Sequence, residues 1–175
     1  MYEYDQKELY EQAIQALKDL EVELDDLAEI VYKLQIDYNP DITIEECLDN
    51  VKKVLMKREV LHIVLTGLAI DKLVEENKFP EPINSIIAKD EGLYGVDEIL
   101  PIGIASLYGT IGLTNFGYLD KEKIGIIKEI DERKRDLMHV NTFADDILAA
   151  IAAAAAARIA HGRQIKDEEE SEKLR

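Results

Sequence analysis

Eight of the nine residues 149–157 are alanine, and this run constrains the fold more than any other feature of the chain. Alanine has the highest intrinsic helix propensity, so the run predicts a helix, which we place at 142–162. Asn141 or Thr142 would cap its start, and Gly162 would end it. Side chains this small on every face let neighbouring helices approach closely. We therefore expect this helix at the centre of a bundle.

Apolar residues at helical spacing predict further helices along the chain. Thr43 and Glu46 form a capping-box pattern at the start of one of them. The segment 59–76 is apolar around most of its circumference, which predicts a deeply buried helix. Residues 93–118 hold five of the nine glycines and are expected to be the least regular part, and 131–140 a charged loop. The other predicted helices span 6–20, 22–37, 83–91 and 120–130.

Six or more helices with short connections, and no convincing strand, predict an all-α fold. We expect a single-domain bundle of six or more helices around the central Ala-rich helix. Residues 1–162 would form this helical domain, and residues 163–175 a charged C-terminal tail. With 175 residues, of which 47% are hydrophobic, the chain can bury a sizeable core.

The charge balance limits the partners of the chain. There are 21 Lys and Arg against 37 Asp and Glu, which gives a net charge of −16. Such a field repels nucleic acid and anionic membrane surfaces and suits divalent cations, so we expect no nucleic-acid partner. Cys47 is the single cysteine, which excludes an internal disulfide and favours a cytoplasmic location. No stretch predicts a transmembrane segment, so at most peripheral membrane contact is expected.

Two acidic doublets are the strongest candidates for chemistry. Asp97-Glu98 lies just inside the Gly-rich stretch, and Asp145-Asp146 begins the Ala-rich helix. Both are flanked by apolar residues, so at least one carboxylate of each doublet should face inward, where it is costly unless paired or bound to a cation. Clustered carboxylates hold Mg²⁺, which can polarise a phosphoryl oxygen. The helix dipole also favours Asp in a first turn, so a purely structural role stays open.

Other polar residues give weaker signals. Asp71 interrupts the apolar segment 59–76, and a solvated edge position is favoured for it over a ligand role. His62, in the same segment, is expected in the core, and so is Cys47. His139 lies near the second doublet and is a candidate acid, base or ligand.

Two basic residues and one glycine motif are further candidates for contacts with a phosphate. Lys121 and Arg158 could neutralise a phosphate, although ordinary ion pairs are favoured for both in this charge field. The sequence Gly109-Thr110-Ile111-Gly112 is compatible with backbone contacts to a phosphate, and equally with close helix packing.

The segment 142–150, Thr-Phe-Ala-Asp-Asp-Ile-Leu-Ala-Ala, resembles the terminal motif of the bacterial phosphatidylglycerophosphatase A family. Val96-Asp97-Glu98 resembles the upstream Asp-Glu pair of that family. Over roughly residues 25–162 the chain is most similar to the soluble Gram-positive branch, the low-temperature-requirement C type. The phrases that carry this match are Lys57-Arg58-Glu59-Val60, Leu65-Thr66-Gly67, Leu93-Tyr94-Gly95-Val96-Asp97-Glu98, Tyr108-Gly109-Thr110-Ile111-Gly112 and Gly117-Tyr118-Leu119-Asp120-Lys121.

The resemblance implies an all-helical fold around one central helix, and Mg²⁺-dependent hydrolysis of the phosphate monoester of phosphatidylglycerophosphate. Carried over residue by residue, it points to Asp97, Glu98, Asp145 and Asp146 as catalytic residues and metal ligands. The chain departs from the membrane-bound members because it lacks their spanning helices and their Pro-Gly-Thr-x-Gly-Ser motif near the N-terminus. The implied substrate is a phosphorylated glycerolipid or another phosphomonoester.

Two other functions are compatible with these residues. All-helical nucleotide pyrophosphohydrolases also use acidic clusters on helices, and they release pyrophosphate rather than phosphate. A non-enzymatic scaffold that forms a homo-oligomer through its small-residue faces would need no metal. The identity of the released product separates the first alternative, and the affinity for a divalent cation separates the second.

Overall fold

A computed structural model describes residues 4–133 and 139–173, with residues 164–173 described by their backbone alone. Over these residues the chain is one all-α bundle without strands, which confirms the predicted fold class. The helices are α1 Gln6–Asp19, α2 Leu24–Gln35, α3 Ile44–Leu55, α4 Arg58–Glu75, α5 Ile83–Ala88, α6 Val96–Ser106, α7 Gly109–Glu122, α8 Ile126–Arg133 and α9 Ala144–Lys173.

The Ala-rich helix α9 is the centre of the bundle, as the sequence predicts. Every residue from 141 to 157 is buried. Six helices pack around it, namely α2, α3, α4, α6, α7 and α8. Only a helix with small side chains on all faces can accept neighbours on every side at close distance.

The start of α9 differs from the prediction. Neither Asn141 nor Thr142 caps the helix, because their side chains bond elsewhere. The Asn141 amide donates to a carbonyl of α8 at 3.2 Å, and the Thr142 hydroxyl donates to a carbonyl of α5 at 2.7 Å. The first N–H groups of α9 bond instead to the carboxylate of Asp71 on α4. Three neighbouring helices thus hold the start of α9.

The end of α9 differs as well. The helix does not stop at Gly162, and its backbone continues to Lys173. A glycine inside a helix costs about 1 kcal/mol relative to alanine but does not by itself end the helix. The charged tail predicted at 163–175 is therefore helical over most of its length, although its side chains beyond residue 163 lie outside the described residues.

The Gly-rich segment 93–118 is not the least regular part of the chain, because α6 and α7 occupy most of it. A Cβ on Gly112 would lie 2.4 Å from the backbone oxygen of Ala105 in α6, so glycine permits the close contact of these two helices. Gly109, with φ of 69°, allows the turn that joins them. Both glycines of the GxxG pattern therefore serve the packing of α7.

The boundaries predicted for the helix at 120–130 and the loop at 131–140 also differ from those in the structure. The residues at 120–122, predicted to begin a short helix, instead complete α7, and the short helix is α8. The predicted loop at 131–140 begins with the last residues of α8, and its part at 134–138 lies outside the described residues.

Helix α4 buries one face rather than most of its surface. The buried positions recur every three to four residues and include Asp71, which is only 4% exposed, so the expected solvated position is wrong. His62 lies on the opposite side and is exposed, not in the core. Cys47 is buried in the core, as predicted. No described helix has the length and apolar character needed to cross a membrane.

Candidate active site

The two acidic doublets line one pocket of about 170 Å³. Asp97 and Glu98 lie in the first turn of α6, and Asp145 and Asp146 lie in the first turn of α9. The N-terminal ends of these two helices therefore meet at the pocket. The other lining residues come from the loop before α6, the end of α7 and α8, and they are Asp90, Glu91, Gly92, Leu93, Tyr94, Gly95, Asp120, Lys123 and Asp131.

The loop between α5 and α6 forms one rim of this pocket and directs α6 toward it. Asp90, Leu93 and Gly95 have φ angles of 49°, 70° and 70°. Gly95 adopts this left-handed conformation without a steric penalty, whereas a residue with a Cβ loses roughly 1–2 kcal/mol. Because Gly95 immediately precedes α6, the sharp turn there places Asp97 at the pocket two residues later.

The position of Asp145 and Asp146 is set by the cap of α9. The carboxylate of Asp71 accepts the N–H of Phe143 at 3.0 and 3.1 Å and the N–H of Ala144 at 3.0 Å. These donors have no partner within the helix, and the positive end of the helix dipole favours an anion beside them. The next two residues of α9 are the second doublet, so the cap fixes the position of the backbone that carries these two carboxylates.

Lys123 places a cation among these acids. Its Nζ lies 2.7 Å from Oδ2 of Asp145, 3.1 Å from Oδ1 of Asp120 and 3.5 Å from Oδ1 of Asp146. Burial acts to lower the pKa of Lys123, but the charge of Asp145 and its hydrogen bond, followed by the charge of Asp146, raise the pKa above its usual range. The ammonium therefore stays charged at neutral pH.

Two of the acids hold protons unusually strongly. Burial, reinforced by the charge of Asp145, raises the pKa of Asp146 to about 9, although Lys123 acts in the opposite direction. Burial and the neighbouring Glu98 raise the pKa of Asp97 to about 7. Like charges in a poorly solvated space cannot all ionise at low cost. A bound divalent cation would remove this cost by displacing the protons.

The donor atoms of the pocket fit a hard cation. Oδ1 of Asp97 and Oε2 of Glu98 are buried oxygens without a hydrogen-bond partner, an expensive arrangement that a cation would relieve. Among the described residues, no three His, Cys, Asp or Glu side chains are gathered as a ready-made metal site. Mg²⁺ does not require one, because it usually keeps several waters and takes one or two carboxylates plus substrate phosphate. Asp97 and Glu98 could therefore bind Mg²⁺ with water completing its shell.

The basic residue of the pocket is not one that the sequence suggested. Lys121 is exposed, and Arg158 donates to Asn50 in a different pocket. His139 is also outside, with its Nδ1 3.8 Å from Oε2 of Glu75. The available signal for Lys123 was its place three residues after Asp120. It lies just past the end of α7 with a left-handed φ of 44°, and its ammonium pairs with Asp120 from there.

A family model and two relatives from Bacillus subtilis match most of this chain. The model of the phosphatidylglycerophosphatase A family matches residues 23–161, which include both doublets and Lys123. The uncharacterized proteins YpjQ and YutG of Bacillus subtilis (strain 168) are 52% identical over 172 residues and 50% identical over 145 residues. These alignments cover 98% and 83% of this chain, and 96% and 86% of the two relatives.

The fold agrees with the crystal structure of a protein that is similar in sequence. The low temperature requirement C protein from Listeria monocytogenes is 48% identical and superposes with a TM-score of 0.87. The superposition covers 91% of this chain and 99% of that chain. The match of the family model over most of the chain's length shows that this chain belongs to the phosphatidylglycerophosphatase A family.

Proposed function

We propose that this protein is a Mg²⁺-dependent phosphomonoester hydrolase that converts phosphatidylglycerophosphate to phosphatidylglycerol and inorganic phosphate. The observation that carries the proposal is the convergence of Asp97-Glu98 and Asp145-Asp146 on one pocket beside Lys123. Membership of the phosphatidylglycerophosphatase A family supports the same reaction.

The four acids would share the roles of metal ligand and catalytic residue, with one or two carboxylates bound directly to Mg²⁺ and the others reaching it through water. Asp97 and Glu98, which carry oxygens without a hydrogen-bond partner, would approach the cation from α6, and Asp145 and Asp146 would approach it from α9. Mg²⁺ bound there would polarise the phosphoryl group and lower the pKa of the attacking water.

The positive charges of the protein would orient the phosphate. The ammonium of Lys123 is fixed by three carboxylates and provides a charge that stabilises the equatorial oxygens as negative charge develops on them. The N-termini of α6 and α9 open on the same pocket, and their dipoles also favour a phosphate there. The acids and these positive groups together permit both a cation and an anion to bind in one small space.

The test is phosphate release by the purified full-length chain from detergent-dispersed phosphatidylglycerophosphate. We expect release with Mg²⁺ and none after chelation with EDTA. Asp146→Asn should reduce the rate by about 10²-fold or more, as expected when a charge-stabilising group is lost from a preorganised site. Asp25→Asn is the matched control, because Asp25 is an exposed acid in the first turn of α2. The proposal fails if no phosphate appears with Mg²⁺ or Mn²⁺, or if pyrophosphate release from a nucleotide is the only activity.

A further inference from the structure

Residues 99–119 contain no charged side chain, although 33% of the whole chain is charged. This stretch covers most of α6 and α7. A charge-free sequence is ordinary in a buried helix, but several large apolar residues of this stretch face solvent. The most exposed are Ile99 at 69% and Tyr118 at 50%.

Four exposed apolar residues recur at every third position from the loop before α6 into α6. We call Leu93, Val96, Ile99 and Ile102 the α6 stripe, and their exposed fractions are 103%, 45%, 69% and 38%. The spacing of three residues keeps the helical members on one side of α6. Leu93, which is fully exposed, also adopts a left-handed φ of 70°, which is unfavourable for a residue with a Cβ. Exposed apolar residues grouped on one side of a helix are a candidate interaction surface.

The α6 stripe borders the acidic pocket. Leu93 itself lines the pocket. Ile102 follows Glu98 by four residues, which is about one helical turn, or roughly 6 Å along the axis. The substrate of the proposed function carries two acyl chains, but the pocket volume of about 170 Å³ is small. Pockets that enclose drug-sized ligands measure about 300–1,000 Å³, so the acyl chains must remain outside.

We propose that the α6 stripe docks the protein on the lipid surface that holds the substrate, so that only the phosphorylated headgroup enters the acidic pocket. This inference rests on the proposed function for the identity of the lipid. The apolar side chains of the stripe leave water on docking, which supplies the driving force. A second copy of the chain is the competing occupant, but a copy seated on Leu93 would cover the rim of the pocket.

The charge of the protein gives this docking an unusual salt dependence. A net charge of −16 repels a bilayer that contains anionic lipid, and the apolar α6 stripe, which continues into the charge-free stretch 99–119, is the face that can approach it most easily. Salt screens the repulsion and leaves the apolar contact intact. Binding to anionic vesicles should therefore increase with ionic strength, whereas proteins that bind through basic patches lose affinity.

A single introduced tryptophan tests the contact directly, because the chain contains none. Ile99→Trp is mixed with phosphatidylcholine vesicles, with and without phosphatidylglycerol, whose acyl chains carry bromine as a quencher. We expect a blue shift and quenching of its fluorescence, and with phosphatidylglycerol we expect the quenching to grow with salt. Tyr38→Trp is the control, since Tyr38 is 79% exposed and lies beside Arg163, far along α9 from the pocket. Its fluorescence should not change.

Sedimentation with the same vesicles provides a second measurement. The double variant Ile99→Ser with Ile102→Ser should lose at least about tenfold in vesicle partitioning, because two exposed apolar side chains no longer enter the lipid. Met56→Ser, at a position 55% exposed before α4, should partition like the parent chain.

The outcomes separate this inference from the proposed function. Absence of quenching at every salt concentration overturns the docking. A blue shift that grows with protein concentration without quenching, together with a dimer in sedimentation equilibrium, also overturns it and assigns the stripe to a second copy. Neither measurement needs turnover, so quenching without phosphate release would refute only the proposed activity.

Discussion

The carboxylate of Asp71 accepts the backbone N–H of Phe143 at 3.0 and 3.1 Å, across 72 residues of sequence. Through this contact a side chain on α4 caps the central helix α9. Asp145 lies only two residues after Phe143. The stability of the bundle and the position of the acidic pocket therefore depend on the same buried carboxylate.

Replacing Asp71 should destabilise the protein substantially. Asp71→Ala leaves the N–H groups of Phe143 and Ala144 buried without an acceptor, and loss of hydrogen bonds to a charged group costs about 1.5–3 kcal/mol. We expect a comparable fall in the free energy of unfolding, measured by urea denaturation. Asp49→Ala, at an exposed position paired with Lys53, should change it by less than about 0.5 kcal/mol. Equal effects of the two substitutions would contradict the capping role.

Two glycines of α7 should respond oppositely to alanine. Gly112→Ala places a Cβ 2.4 Å from the backbone oxygen of Ala105, so α6 and α7 must separate, at a cost of about 1–3 kcal/mol. Gly117→Ala meets no atom within 4 Å and should stabilise by about 0.4–1 kcal/mol through lower entropy of the unfolded chain. Thermal unfolding of both variants measures the difference. If Gly112→Ala were also stabilising, the close contact of α6 with α7 would be refuted.

The raised pKa of Asp146 predicts a specific pH dependence of stability. Its pKa is about 9 in the folded protein, against an ordinary value of 3.8. The proton bound by Asp146 therefore favours folding at low pH, and this contribution is lost as pH rises from about 4 through about 9. Asp146→Asn removes the titration, so without metal its stability relative to wild type should increase with pH. Parallel stability curves for the two proteins, measured in EDTA between pH 5 and 9, would exclude the shift.

Mg²⁺ should oppose the loss of folding stability that occurs as pH rises. Mg²⁺ favours the ionised carboxylates of the pocket, and therefore the increase in melting temperature on adding Mg²⁺ should grow as pH rises through about 7, the pKa of Asp97. Differential scanning fluorimetry at several pH values, each with Mg²⁺ or EDTA, gives this comparison. A Mg²⁺ effect that is constant with pH would place the cation elsewhere on the protein.

Lys123 should be replaceable in part by a cation. Lys123→Met removes the ammonium that stabilises Asp145 and Asp146, and breaking such a pair costs about 3–5 kcal/mol when it is buried, or less here because Lys123 keeps some exposure. We expect a loss of stability that Mg²⁺ restores more strongly than in the parent chain. Lys121→Met changes a neighbouring exposed lysine and should leave both stability and the Mg²⁺ response unchanged. Loss of stability that Mg²⁺ does not restore would argue against Mg²⁺ binding beside Asp145 and Asp146.

The central helix and the two acidic doublets could be predicted from local features of the sequence. Helix propensity is a local property, so the alanine run at 149–157 predicts a helix without knowledge of its neighbours, and small side chains predict its central place. The same local reasoning identified Asp97-Glu98 and Asp145-Asp146 as candidates. It could also have found Asp71 on the buried face of α4, because that residue follows Gly67 by four and precedes Val74 by three.

How these parts meet depends on contacts that no local pattern contains. The cap of α9 comes from another helix, and Lys123 joins Asp145 across 22 residues, so neither partner appears in a local pattern. The glycines of 93–118 predict irregular backbone when their propensity is considered alone, yet Gly112 allows two helices to pack at a distance no larger residue permits. Contacts between residues distant in sequence outweigh local preference there, and they bring two ordinary helix-terminal acidic doublets together in one pocket.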